Sequence, residues 1–279
     1  MPVKSFKATT PGRRKMTVID YSQLSKRGPE KSLLTPKKSI AGRNVHGHIT
    51  TRHRGGGEKR HYRRVDFLRT DKLKIPARVA SIEYDPNRTA FIALLFYADG
   101  EKRYILAPEG LKEGDQVVTA ENTKPQTGNR MMLKNIPVGI DIHDLELSLK
   151  RGGQIVRSAG SSAKLMSLDA DMAQVTLPSG EVRFIHKECY ASVGIVSNAD
   201  HMNVVIGKAG RIRKMGRRPQ VLGKSMNPVD HPHGGGEGHC PIGLKHPKTP
   251  WGMPALGYKT RRRKNPSSRF IIRRKKGKN

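Results

Sequence analysis

The sequence is poor in cysteine and in long apolar runs, and each shortage excludes a class of protein. Two cysteines, Cys189 and Cys240, cannot build a disulfide framework and do not form paired zinc knuckles. No apolar run approaches the roughly 18 residues that a membrane span requires. The N-terminus lacks an apolar signal core, and Pro2, Pro11 and Gly12 disfavour the amphipathic helix of an organelle presequence. We therefore expect a cytoplasmic protein, and an organellar location stays open as the alternative.

Apolar and aromatic side chains are also scarce. Hydrophobic residues make up 35% of the chain and aromatic residues 5%, whereas glycine and proline number 29 and 18. A packed core therefore occupies only part of the length, and irregular backbone occupies the rest.

Acidic residues are missing where basic ones are concentrated. Residues 1–77 hold 20 Lys/Arg and 5 Asp/Glu, residues 78–206 hold 14 and 16, and residues 207–279 hold 20 and 2. Two cationic arms thus flank a near-neutral centre. Such charge repels itself unless a polyanion neutralises it, which favours nucleic acid as the partner. Disordered solubilising tails are the alternative, but they do not explain why both ends share one sign.

The centre is typical of β-structure. Residues 79–84, 91–97 and 102–106 are predicted strands of a meander, and Asp99-Gly100 is a strong hairpin signal. Because 91–97 is continuously apolar, we expect a strand buried on both faces.

Further short runs predict strands at residues 154–157, 173–177, 181–185, 193–197 and 203–206. Short strands at this spacing indicate small barrels rather than one large sheet. The predicted fold class is all-β, with two small β-barrels between long, basic, irregular N- and C-terminal extensions. The predicted domains are a basic extension at 1–59, barrels at 60–125 and 126–200, and a second basic extension at 201–279.

Three motifs carry the chemistry. Residues 50–64 combine arginines, whose planar forks match phosphate oxygens, with Gly55-Gly56-Gly57, where backbone N–H groups can approach a phosphate. A flexible hinge with solvated charges is the alternative. Residues 207–219 hold six Lys/Arg and superficially look like a phosphate loop, but they lack the Gly-x4-Gly-Lys-Ser/Thr spacing. They suit a nucleic-acid backbone better than a nucleotide.

The third motif, residues 227–238, is too irregular for a helix or strand. The ligand types that zinc prefers lie in or just after it, namely His231, His233, His239, Cys240 and His246. Glycines and prolines break any preset ligand geometry, so a metal site is disfavoured. General-base catalysis by His231 would need an orienting partner and a pocket. A loop threading between nucleic-acid helices explains the Gly, Pro and His content together.

With this motif the chain resembles the bacterial-type ribosomal protein L2 family of the large subunit. The resemblance rests on residues 9–14 (TTPGRR), 50–57 (TTRHRGGG), 80–88 (ASIEYDPNR), 97–105 (YADGEKRYI), 178–183 (PSGEVR), 227–238 (NPVDHPHGGGEG) and 267–272 (SSRFII). These segments span nearly the whole chain, and 227–238 is highly specific.

The resemblance implies an OB-fold, then an SH3-like barrel, with extensions that penetrate large-subunit rRNA. It implies a non-enzymatic structural protein that supports subunit assembly and association. Its partners would be large-subunit rRNA, small-subunit rRNA at an intersubunit bridge, tRNA and neighbouring ribosomal proteins, with no membrane. No cofactor is implied beyond Mg²⁺ associated with the rRNA, and no metal ligands. Asp230 and His231 would lie on a loop near the peptidyl-transferase centre, without a catalytic role.

The residues expected to bind rRNA combine the basic side chains of the arms with the loop glycines and polar groups. They are Arg13, Arg14, Arg52, His53, Arg54, Gly55, Gly56, Gly57, Lys59, Arg60, Arg63, Arg64, Lys208, Arg211, Arg213, Lys214, Arg217, Arg218, Lys224, Asn227, His231, His233, Gly234, Gly235, Gly236, Arg261, Arg262, Arg263 and Arg269.

Three positions depart from the family pattern. Leu222 stands where arginine is usual, Lys224 where a small residue is usual, and Glu58 where a neutral residue or histidine is common. Lys224 restores a charge two positions after Leu222. Two other classes of protein stay open at this stage: a hydrolase or transferase that uses His231, and a free nucleoid-type DNA binder.

Overall fold

Short strands dominate the computed structural model, which describes residues 3–39, 41–237 and 240–274. The strands within these residues are β1 Val3–Ser5, β2 Thr17–Ile19, β3 Leu34–Lys37, β4 Arg60–Arg63, β5 Ala77–Glu83, β6 Ile92–Tyr97, β7 Lys102–Leu106, β8 Gln116–Val117, β9 Arg130–Met132, β10 Asp141–His143, β11 Ala163–Asp169, β12 Met172–Thr176, β13 Val182–His186, β14 Tyr190–Val193 and β15 Ile271–Arg273. The helices are α1 Pro11–Arg14 and α2 Ala209–Lys214, with 3₁₀ turns at Lys31–Leu33, Thr70–Lys72, Leu133–Asn135, Ala199–Asn203, Gly223–Ser225 and Pro266–Phe270. No helix in the described part of the chain is long and apolar enough to cross a membrane.

The first large sheet has the order β7-β6-β5-β8, with antiparallel neighbours. A tight hairpin joins β6 to β7, and Gly100 takes a φ of 84° that disfavours a side chain. β6 is buried on both faces, as its continuous apolar run predicts. Ala93 and Leu95 enter one core cluster with Val79 and Ile105, whereas Leu94 faces another.

The second sheet has the order β15-β13-β12-β11-β10-β14-β9, again with antiparallel neighbours. Its core contains Met131, Ile142, Leu165, Val175 and Ile185, all almost inaccessible to solvent. The two sheets confirm the predicted fold class: an all-β protein with an OB-type barrel and then an SH3-like barrel.

Buried charged side chains lie beside the second sheet. The Arg130 guanidinium lies 3.1 Å from Asp144 Oδ2 and 3.4 Å from Glu146 Oε1, and all three side chains are buried. Arg69, also buried, donates from Nη1 to the Gly128 carbonyl at 3.3 Å. Removing one partner of such a buried pair leaves an uncompensated charge, which is strongly destabilising.

Three strand predictions were wrong in detail. Residues 154–157 form a single bridge between Leu145 and Ile155, because Val156 takes a left-handed φ of 56° that breaks an extended strand. Residues 203–206 are not a strand. Instead Val205 exchanges hydrogen bonds with Thr17. The strand expected at 193–197 lies at β14, Tyr190–Val193.

By its internal contacts the chain divides into two compact units. The first, here called the barrel unit, comprises residues 1–38, 59–208 and 269–279. It includes both large sheets and the small sheets β1-β2 and β3-β4. The second, here called the basic unit, comprises residues 39–58 and 209–268, and α2 with 3₁₀ turns is its regular structure.

Candidate nucleic-acid interface

Two motifs that are far apart in sequence pair within the basic unit. Arg54 and Arg217 form an antiparallel bridge. Gly55 N–H donates to the Gly216 carbonyl at 2.8 Å, and Arg218 N–H donates to the His53 carbonyl at 3.0 Å. The backbone thus brings the first and second basic motifs side by side, which neither motif reveals alone.

Close backbone approach explains the glycine run in this pairing. A Cβ on Gly57 would lie 2.9 Å from Gly216 Cα, and a Cβ on Gly56 would lie 2.8 Å from Arg213 Nη2. Gly55 has a φ of 129°, which L side chains rarely adopt. The sequence suggested that the glycines admit a phosphate, but their packing against residues 213–216 accounts for them without one.

Two side chains reinforce the same junction. Arg213 Nη1 donates to the carbonyls of Gly55 and Arg217, both at 3.2 Å. Lys214 Nζ lies 3.1 Å from Glu58 Oε1, so Glu58 forms a local ion pair. Both side chains of this pair are largely exposed, and such a pair adds little stability.

The His231 loop is a built turn rather than a free tail. The Asn227 carbonyl accepts N–H groups from Asp230 at 3.0 Å and His231 at 3.3 Å. The His231 ring is buried at 7% exposure and lies so close to Gly223 that a Cβ there would sit 2.5 Å from its Cε1. Val229, at the tip, is 89% exposed. The loop therefore turns its histidine inward and its tip outward.

Both imidazoles of this loop accept backbone hydrogen bonds. His231 Nδ1 accepts the His233 N–H at 3.0 Å, and His233 Nε2 accepts the Lys248 N–H at 2.9 Å. The two rings lie 4.8 Å apart at 56°. An accepting nitrogen must be unprotonated, so each bond fixes a tautomer. The hydrogen bonds that the structure shows for these two rings come from backbone N–H groups.

The zinc-type residues do not converge. Among the residues that the structure describes, no group of three or more His, Cys, Asp or Glu side chains is placed to hold a metal ion. His239 lies outside the described residues.

The remaining expected contact residues fall into both units. The barrel unit carries Arg13, Arg14, Lys59, Arg60, Arg63, Arg64, Lys208 and Arg269. The basic unit carries Arg52, His53, Arg54, Gly55, Gly56, Gly57, Arg211, Arg213, Lys214, Arg217, Arg218, Lys224, Asn227, Asp230, His231, His233, Gly234, Gly235, Gly236, Arg261, Arg262 and Arg263.

Several of the barrel-unit arginines are engaged by the protein itself. Arg63 lies 3.8 Å from Glu83 Oε2 and 3.4 Å from Asp85 Oδ1, and Arg64 Nη2 donates to the Ser32 carbonyl at 3.0 Å. Because the Arg63 charge is already paired, Arg63 is the weakest candidate for a phosphate contact.

Sequence reasoning missed one candidate, Trp251. It is 78% exposed, and the Arg52 guanidinium lies over its ring at 5.1 Å from the centroid. Its signal was its rarity, because the chain has one tryptophan and 5% aromatic residues.

The basic unit differs from the barrel unit in its charge and in its burial. It holds 16 Lys/Arg and 3 Asp/Glu, a formal net charge of +13. Within its described residues only Gly55 and His231 are buried, and none of its side chains joins a hydrophobic core cluster. Turns and backbone hydrogen bonds, rather than apolar packing, hold this unit together.

Two family models match this chain. Residues 30–119 match the model for Ribosomal Proteins L2, RNA binding N-terminal domain. Residues 126–252 match the model for Ribosomal Proteins L2, C-terminal domain. The two matches cover most of the chain, and the chain therefore belongs to the ribosomal protein L2 family of rRNA-binding structural constituents of the large ribosomal subunit.

Proposed function

We propose that this protein is a primary rRNA-binding protein that supports assembly of the large subunit, its association with the small subunit, and the architecture around the peptidyl-transferase centre. The observation that carries the proposal is the basic unit, with a net charge of +13 and no apolar core cluster in its described residues. Self-repulsion without a core leaves such a unit dependent on a polyanion for its stability.

The proposed rRNA surface centres on the paired motifs. Arg54, Arg217 and Arg218 are exposed along the backbone junction, so their guanidinium groups are available to phosphates. The other expected contact residues stay in the proposal, but the charge of Arg63 is already paired within the protein, so Arg63 is not expected to add a phosphate contact. Magnesium ions belong to the folded rRNA in this account.

The His231 loop is proposed to face the peptidyl-transferase region through its exposed tip. The inward ring of His231 shapes the loop, while Val229 and Asp230 present the tip. His231 is thus a structural residue, and peptide-bond chemistry belongs to RNA. We propose further contacts with small-subunit rRNA at an intersubunit bridge, with tRNA and with neighbouring ribosomal proteins, on ribosomes in the cytoplasm.

The domain limits expected from sequence stay part of the proposal. Residues 60–125 would be the OB-fold RNA-binding domain and 126–200 the SH3-like domain, with basic extensions at 1–59 and 201–279. Limited proteolysis of the full chain with and without rRNA would test them, since exposed extensions should gain protection on RNA binding.

The test of rRNA binding is competition at matched salt. Full-length protein on a labelled transcript of large-subunit rRNA is challenged with unlabelled transcript or with duplex DNA of equal nucleotide content. We expect the transcript to compete far better than the duplex, since shaped RNA offers loops and splayed strands that a uniform duplex lacks. Equal competition would instead indicate a general polyanion binder such as a nucleoid protein.

A further inference from the structure

Trp251 is largely exposed, so its ring gains little stabilisation from burial within the protein. The side chain is 78% exposed, although burial of an aromatic ring is among the largest apolar gains available to a chain. The sequence has no other tryptophan. Tryptophan is enriched at interfaces, where its apolar ring packs against a partner, so this exposed indole is a candidate ligand contact.

A tight turn presents this ring. Gly252 N–H donates to the Thr249 carbonyl at 2.9 Å, which closes a four-residue turn with Pro250 at its second position and Trp251 at its third. Proline at the second position and glycine at the fourth are the preferences of a type I turn. Thr249 N–H also donates to the Met253 carbonyl at 2.7 Å. The indole therefore stands at the corner of a braced hairpin.

The hairpin is tied to the His231 loop and to the first basic motif. Lys248 and Pro254 form a bridge at its base, and Lys248 N–H donates to His233 Nε2 at 2.9 Å. The Arg52 guanidinium lies over one face of the indole, 5.1 Å from the ring centroid. With 78% of the side chain exposed, the opposite face is open to solvent.

This arrangement has the parts of a base-stacking site. An aromatic face offers a base about 1–3 kcal/mol of stacking, and it does so whatever the base, because every base has a π-face. Arg52 beside the ring supplies positive charge for the attached phosphate and polarises the indole. The surrounding unit carries a net charge of +13, which suits a nucleotide better than an uncharged apolar partner.

We propose that Trp251, backed by Arg52, stacks on one unpaired base of the large-subunit rRNA. This inference rests on the proposed rRNA binding and adds to it a specific contact. A base within a duplex is already stacked on its neighbours, so the ligand is a nucleotide splayed from a loop, bulge or single strand.

The single tryptophan makes the test direct, because its fluorescence reports from one position only. Full-length protein is titrated with an oligoadenylate RNA and with an abasic oligomer of the same length and phosphate count. Stacking should quench the emission with oligoadenylate and leave it nearly unchanged with the abasic oligomer. Equal responses to the two probes, or none to either, would overturn the stacking site.

Binding of the rRNA transcript is measured in parallel, so that the two proposals can fail separately. Retained transcript binding without base-dependent quenching would refute stacking alone and would turn attention to a protein partner for Trp251. Loss of transcript binding altogether would refute the proposed function.

Variants distinguish stacking from general apolar contact. Trp251→Leu should weaken binding of the transcript roughly 5- to 150-fold, the range for one stacked base. Trp251→Phe should recover most of that loss. Leu256→Ala is the matched control, since Leu256 is also 78% exposed in the same unit, and it should change binding little. The slope of log K against log salt should not change in Trp251→Leu, because no phosphate contact is lost. If the leucine and phenylalanine variants weaken binding equally, the aromatic face is not the surface that binds the base.

Discussion

Gly57→Ala is the most informative single substitution, because it adds one methyl group at the junction of the two basic motifs. Gly57 has no left-handed φ, so its backbone conformation suits alanine. The new Cβ would lie 2.9 Å from Gly216 Cα, whereas ordinary van der Waals contact begins at 3.4 Å. The two backbones must therefore separate by about 0.5 Å, a distance that packed side chains do not absorb freely.

Three hydrogen bonds span this junction and would be strained by the separation. Their donors are the N–H groups of Gly55, Glu58 and Arg218, with lengths of 2.8, 3.0 and 3.0 Å. At about 0.5–1.5 kcal/mol each, the three bonds together contribute about 1.5–4.5 kcal/mol to the stability of the junction. Because the described part of the basic unit has no apolar core cluster, this is a large share of its local stability.

Hydrogen exchange on the full chain measures the effect. We expect Gly57→Ala to speed exchange of those three amides by about tenfold or more and to weaken rRNA binding, while exchange in the barrel strands stays the same. Gly210→Ala is the matched control, since Gly210 lies in α2 and a Cβ there meets nothing within 4 Å. Unchanged amide exchange and unchanged rRNA affinity in Gly57→Ala would refute the structural role given to this glycine.

Three further predictions follow from contacts and charge. Arg52→Ala and Arg54→Ala should each reduce the slope of log K against log salt for rRNA binding by roughly 0.7–0.9. Arg63→Gln should leave that slope unchanged, because the Arg63 charge is paired within the protein. Filter binding across a salt series measures the slopes, and equal slopes in the three variants would refute the prediction. Burial lowers the pKa of His143 to about 3. The neutral ring therefore stabilises the fold fully above the unfolded pKa near 6.5, and this stabilisation is lost as the pH falls toward 3. Lowering the pH from 7.5 to 5.5 should reduce the free energy of unfolding, measured in urea, by about 1.4 kcal/mol, and His143→Gln should lack that loss. An equal pH response in both proteins would contradict it. His231→Ala should leave barrel folding and rRNA affinity nearly intact and act on assembled subunits, so an isolated catalytic activity abolished by this change would overturn the structural role of His231.

The sequence predicted much of the barrels, because buried strands have a regular apolar pattern. The run at β6 is apolar at every position since both of its faces are covered, and the hairpin after it needs Gly100 at a positive φ. By contrast, β11 was missed because Lys164 and Ser167 interrupt its apolar positions and a bulge shifts its register. Residues 154–157 have strand composition, but the left-handed Val156 cannot be read from residue type.

The candidate interface was predicted by composition but not by geometry. The charges of the two basic motifs are visible in the sequence, whereas the bridge between Arg54 and Arg217 is a long-range contact with no local signal. The inward orientation of His231 likewise depends on its packing against Gly223. Local patterns therefore identified the segments, and only the fold assigned each residue a structural or an exposed position.

Sedimentation tests the central claim most directly. A native extract is run on sucrose gradients at low salt and after a high-salt wash, and this chain is detected in every fraction. The account predicts that the protein co-migrates with the large ribosomal subunit and stays there after the wash, because the proposed contacts with folded rRNA are many and salt screens enclosed contacts less than exposed ones. Migration as a small free protein, with intact ribosomes lacking it, would contradict the account.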